Sequence, residues 1–205
     1  MKTTIQGQLK TIGWCAMLLP FLAAGFALLD GAGFPNSISA TYYRTSFPFL
    51  VGILAAASIY LVNYEGYDDR DKKLAVASGI AGLGVILFPC TPDLVSSTHV
   101  GFLQLPTWIS NLIHSASAIV FFVLQTYIIA FQFTKGNKRM TPEKKLRNAV
   151  YRLCAALIVA STAALVLLNH FISIPHFVWA AEVIPLVCIG YAYTIKAGSW
   201  EVWND

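Results

Sequence analysis

Apolar positions along this chain gather into six runs divided by short polar stretches, at about residues 12–29, 47–64, 74–90, 107–133, 149–171 and 175–195. A hydrocarbon core about 30 Å thick is crossed by roughly 20 residues of α-helix, so the runs predict six transmembrane helices. The first run exceeds the roughly 7–15 apolar residues of a secretory signal, and no small-x-small site closes it, so it is read as a span. The third, "LAVASGIAGLGVILFPC", is short and Gly-rich. Its Ala75/Gly79, Ser78/Gly82 and Ala77/Ala81 pairs stand four apart, which lets backbones approach closely in lipid. That places this helix near the bundle centre. Pro20, Pro48 and Pro185 lie in or near spans, where neighbouring helices tolerate kinks.

Polar positions inside the runs are few and patterned. In the fourth run Asn111, His114, Ser115, Ala118, Phe122, Gln125 and Gln132 recur at helical spacing and form one face. Leu112, Ile113, Ile119, Val120 and Val123 make the other face purely apolar. Unpaired polar groups in lipid cost several kcal/mol each, so the polar face is expected to turn inward. The sixth run holds one carboxylate, Glu182, within "WAAEVIPLV". Glu182 and His114 each stand about seven residues from the start of their helices, or roughly 10 Å deep at 1.5 Å per residue. They are expected to meet at one depth.

Composition fixes the class. Of 205 residues, 57% are hydrophobic and 12% charged, against about 25% charged in soluble domains. No linker or low-complexity segment divides the chain, so residues 1–205 are read as one all-α, six-transmembrane-helix bundle. The formal charge of +4 suggests an acidic partner until its distribution is traced. With the N-terminus inside, thirteen of the fourteen Lys and Arg residues fall on the cytoplasmic side and Arg44 alone outside. This positive-inside pattern makes both termini cytoplasmic. It also sets the basic loop "TKGNKRMTPEKKLRN" against anionic headgroups, without nucleic acid. The expected location is a bacterial cytoplasmic membrane. Cys15, Cys90, Cys154 and Cys188 have no metal-like spacing and read as small buried hydrophobes.

Candidate chemistry gathers on the outer half. His99, His114, His170 and His176 all fall there, beside the loops "DGAGFPNSISATYYRTS" and "CTPDLVSSTHVGF". An intramembrane ionisable group marks a functional site by default. The candidate ligand-binding residues are therefore Glu182 and His114, with Asn111 and Ser115 on the fourth helix and Trp179 on the sixth. Tyr42, Tyr43 and Arg44 are expected to reach down from the first outer loop.

The stretches "SISATYYRTSFPFLVG", "YEGYDDRDKK", "GVILFPCTPD", "NLIHSASAIVFF" and "VWAAEVIPLVCIGYAYTIKAG" together resemble a group of small uncharacterised prokaryotic six-helix membrane proteins. That group is distantly similar to a superfamily containing the damage-regulated autophagy modulators and a remodelling factor for GPI anchors. The resemblance runs from about residue 37 onward. It implies recurring positions at Ser37, Ser39, Tyr42, Tyr43, Gly66, Tyr67, Asp68, Pro89, His114 and Glu182. Where the group has "YYHT", this chain has Tyr42-Tyr43-Arg44-Thr45, which weakens a metal site built on that loop. The resemblance implies a fold and no established biochemistry.

Three functional readings stay open. The leading one is a protein that binds or handles a lipid or small amphiphile in an outward-facing polar pocket, without a resident cofactor. The second is a zinc-dependent intramembrane lipid hydrolase drawing on His99, His114, His170, His176, Asp93 and Glu182, beside Ser37 and Ser39. Zinc needs about three such ligands and a water, and no HxxxH or HExxH spacing is present. The third is a proton-coupled transporter, or an accessory subunit of a membrane complex. Phosphate-binding, haem-attachment and nucleophile-elbow motifs are absent from the sequence.

Overall fold

A computed structural model describes residues 2–94, 96–136, 141–168, 171 and 174–200. Its helices are α1 Lys2–Ala27, α2 Phe47–Val62, α3 Asp69–Leu87, α4 Thr107–Tyr127, α5 Pro142–Leu168 and α6 Phe177–Lys196. Four segments are long and apolar enough to cross a membrane: Ile5–Asp30, Thr107–Gln132, Pro142–Leu168 and Phe177–Lys196. α2 is apolar but shorter. α3 starts earlier than its apolar run because its first turn is acidic. Asp68 caps it, with Oδ1 accepting the Asp71 N–H at 2.8 Å, and Asp69 and Asp71 face the positive end of the helix dipole. A two-stranded hairpin, His99–Val100 with Leu105–Pro106, precedes α4.

The helices form a ring in chain order, each packed on the next and α6 closing on α1. α3 is thus one member of the ring, between α2 and α4, and not its centre. The small-residue spacing acts sideways: Ala75, Ser78, Gly79 and Gly82 are buried, and a Cβ on Gly79 would meet the Ser58 carbonyl of α2 at 2.6 Å. Ala77 is exposed, so its pairing with Ala81 does not form a contact face. A second close seam lies between α1 and α6. A Cβ on Gly190 would stand 2.7 Å from the Gly13 carbonyl oxygen.

The ring is filled unevenly. Toward the end that carries the termini it is packed by Ile12, Leu61, Ile128, Ile158, Ile189 and Tyr193. Toward the other end, here the distal end, only a small cluster of Leu19, Ala23, Ile38, Leu50 and Leu186 fills it. α4 continues as a π-helical turn, Ile128–Gln132, which packs against α5. Beyond Ser161, α5 has no buried residue. The outer surface is apolar, with Leu112, Val120, Val123, Leu153 and Val159 each at least 48% exposed. Such an expanse of apolar surface is what a lipid-facing bundle presents.

At the terminal end, Lys135 bonds the cap residue Asp68 at 2.6 Å. That ammonium first, and the Asp71 N–H second, hold the Asp68 carboxyl below the ordinary carboxylate range. A depressed folded value means the stabilisation is complete above the unfolded value, about 3.9, and disappears as pH falls through the folded one. Asp68→Ala is therefore expected to lower the melting temperature at pH 7, with the gap from wild type narrowing toward pH 3. Thermal denaturation across pH in detergent measures this.

Candidate functional site

The loop between α1 and α2 enters the ring mouth as a 3₁₀ turn, Ser39–Tyr43. Side chains three apart on such a turn eclipse one another, so Ser39 and Tyr42 share a side. Both line a cavity of about 550 Å³ in the distal half, walled also by Leu50, Val85, Phe122 and Leu165. Its polar groups gather at one corner. Glu182 Oε2 accepts the N–H groups of Ile38 at 2.5 Å and Ser39 at 3.3 Å. Its Oε1 lies 3.1 Å from Ser39 Oγ. Ser39 Oγ in turn lies 3.1 Å from His114 Nε2. His114 Nδ1 faces the carbonyls of Val85 at 3.0 Å and Phe88 at 2.9 Å, where α3 ends.

Hydrogen-bond stoichiometry constrains this chain. Carbonyl oxygens only accept, so His114 Nδ1 carries a proton. The two links from Ser39 Oγ need two protons, and the hydroxyl supplies one. The second sits either on Glu182, which then donates to Oγ while Ser39 donates to Nε2, or on Nε2, which then donates to Oγ while Ser39 donates to a Glu182 carboxylate. The two states hold equal numbers of protons and are net neutral, as a site in apolar surroundings requires.

The candidate residues are distributed as follows. Glu182 and His114 come together, through Ser39 and not directly. Asn111, Ser115 and Tyr42 line the same cavity, and Asn111 Oδ1 accepts the Thr91 N–H at 3.1 Å. Tyr43 points away, its hydroxyl donating to the Cys90 carbonyl at 2.5 Å. Arg44 is a correction: it does not reach Glu182. It follows the 3₁₀ turn in extended backbone and pairs with Asp30 at 2.5 Å. Its Nη2 donates to the Ala27 and Gly33 carbonyls. The Arg44 charge is thus used to pin the loop to the end of α1. Trp179 is also displaced, packing edge-on against Phe34 with centroids 4.9 Å apart rather than lining the cavity.

The proposed zinc ligands do not assemble in the described residues, where no group of three His, Cys, Asp or Glu side chains converges. His99 is exposed on the hairpin and His176 packs against Phe34. His170 lies outside the described residues. Ser39, which joins Glu182 to His114, was singled out in the sequence only by resemblance and by proximity. Serine is common in outer loops, and nothing in spacing reveals that this one drops into the ring.

The cavity has a side opening. Ile119 of α4 is 40% exposed and Val166 of α5 51% exposed, yet both also line the cavity. Ser115 is likewise exposed and cavity-lining. The gap between the distal halves of α4 and α5 therefore joins the cavity to the outer surface of the bundle. No protein-family model, curated protein or solved structure matches this chain.

Proposed function

We propose that this is a multi-pass membrane protein that binds a lipid or small amphiphile in the distal cavity. The polar head lies at Glu182, Ser39 and His114, and the tail lies along Val85, Phe122 and Leu165. The observation that carries this is a neutral hydrogen-bonded cluster in a predominantly apolar cavity, the usual form of a small-molecule site. The gap beside Ile119 and Val166 supplies a route from the bilayer. The positive-inside pattern supports a distal end that faces outward, and in this reading the amphiphile enters from the outer leaflet of a bacterial cytoplasmic membrane.

Binding of a fluorescent single-chain amphiphile to nanodisc-embedded protein tests the reading. Ile119→Trp and Val166→Trp fill the gap from exposed positions, where substitutions change stability by only about 0.5 kcal/mol. The expected result is at least a several-fold slower uptake in both, with an unchanged melting temperature. Uptake at wild-type rates in both variants excludes the side route.

A second reading, proton-coupled transport, draws on the polar groups that continue beneath the cavity. Gln125 Nε2 donates to Ser78 Oγ at 2.7 Å. The Tyr193 hydroxyl lies near Tyr64, Asp71 and Gln125. Among the described residues, both Gln132 side-chain polar atoms are buried without a protein hydrogen bond. Groups like these are ordinarily satisfied by internal water, and a hydrated column here would extend the path toward the cytoplasm. Proton flux in proteoliposomes that depends on Gln125 and Glu182 supports this reading, and flux indifferent to both removes it.

A further inference from the structure

Resting on the amphiphile-binding reading, we propose that Ser39 and His114 form a nucleophile–base pair that cleaves an ester-linked, single-chain amphiphile by acyl transfer. Three features of the site lead there. Ser39 Oγ stands 3.1 Å from His114 Nε2, within reach for direct proton transfer. Val85 and Phe88 hold the other ring nitrogen as a donor, which fixes the tautomer whose Nε2 lone pair accepts a proton. A carboxylate does this in a Ser-His-Asp triad, and the requirement is only that a third group orient the base. Ser39 is also partly accessible and borders the cavity where an acyl chain would lie.

Proton positions set which state reacts. With the second proton on Glu182, Ser39 donates to His114 and is poised for attack. With it on Nε2, Ser39 donates to Glu182 and is idle. In the reactive state Oγ bonds to the ester carbonyl carbon while its proton passes to Nε2. The tetrahedral intermediate collapses, the carbon–alkoxide bond breaks, and the imidazolium returns the proton to the departing alcohol. Water then attacks the acyl-serine, gives one proton through His114 back to Ser39 Oγ, and releases a carboxylic acid. Asn111 is the donor placed for the developing oxyanion. It stands one turn before His114 and lines the cavity, and its Oδ1 is tied to Thr91, leaving its amino group for the substrate. Glu182 acts as a positioning residue through its grip on Ile38 and Ser39.

A long-chain alkyl fluorophosphonate is the probe, applied to the intact protein in detergent and followed by peptide mass spectrometry. The expected result is one covalent adduct on Ser39. Its rate falls at least about 100-fold in His114→Gln, which removes the base. No adduct on wild type overturns the proposal, as does an adduct on another residue or equal labelling of His114→Gln. Because the primary result is read on the wild-type chain, a Ser39 or His114 variant that fails to fold leaves it decidable. Bound amphiphile in the same unlabelled wild-type sample separates the outcomes: a retained ligand with no adduct sinks acyl transfer alone, and a missing ligand with no adduct sinks the binding reading too.

Discussion

Gly190→Leu is expected to break the bundle at its α1–α6 seam and leave little folded protein. A Cβ at Gly190 would lie 2.7 Å from the Gly13 carbonyl, 2.8 Å from Met17 Cβ and 2.8 Å from Met17 N. Two of these atoms are backbone and cannot rotate aside, so α1 must move bodily. Overpacking of this kind costs about 3 kcal/mol, and more where the seam is continuous: Gly13 meets Gly190 and Thr194 just as closely. Gly25→Leu on the same α1 is the control, because a Cβ there has nothing within 4 Å. It removes a flexible glycine from a helix and is expected to raise stability by about 0.5–1 kcal/mol. Thermal denaturation followed by circular dichroism distinguishes the two, and similar melting temperatures contradict the seam.

The second large effect is at Glu182, where Ala and Gln should behave oppositely. Glu182→Ala leaves the Ile38 and Ser39 N–H groups without an acceptor. Ile38 is 3% exposed, and an unsatisfied buried donor costs about 1–3 kcal/mol. The 3₁₀ turn then loosens and the cavity loses a wall. Glu182→Gln keeps the acceptor oxygen for both N–H groups, and its amide donates to Ser39 Oγ, reproducing the neutral carboxyl. The expected outcome is amphiphile affinity lowered at least about 10-fold in Glu182→Ala and within about 3-fold of wild type in Glu182→Gln, by titration of the fluorescent ligand. A Gln variant as weak as Ala would mean that the carboxylate charge itself holds the ligand.

Much of this architecture is visible in the chain because lipid makes the rules strict. Apolar runs gave the six helices, and most of the α4 stripe turns inward, with His114, Gln125 and Gln132 buried and Leu112 and Val123 exposed, although Ser115 is exposed and Ile119 of the other face lines the cavity. Depth along a helix is also readable, which matches Glu182 and His114 from helices two places apart in the ring. What escaped were contacts set by the loop. The 3₁₀ turn sends Ser39 and Tyr42 inward and Tyr43 aside, and a local acid at Asp30 claims Arg44. Neither outcome follows from hydrophobic periodicity, since both depend on backbone geometry in a segment with no regular repeat. Gly13 and Gly190 were missed for a different reason. Gly13 has no small residue four positions away, and Gly190, which has Thr194, meets Gly13 only because the ring closes.

Native mass spectrometry of the detergent-purified protein reads ligand occupancy without a label. A lipid-sized adduct is expected on wild type, depleted in Glu182→Ala and retained in Glu182→Gln. A bare wild-type chain, or an adduct of equal occupancy in both variants, contradicts a binding site at the Glu182–Ser39–His114 corner.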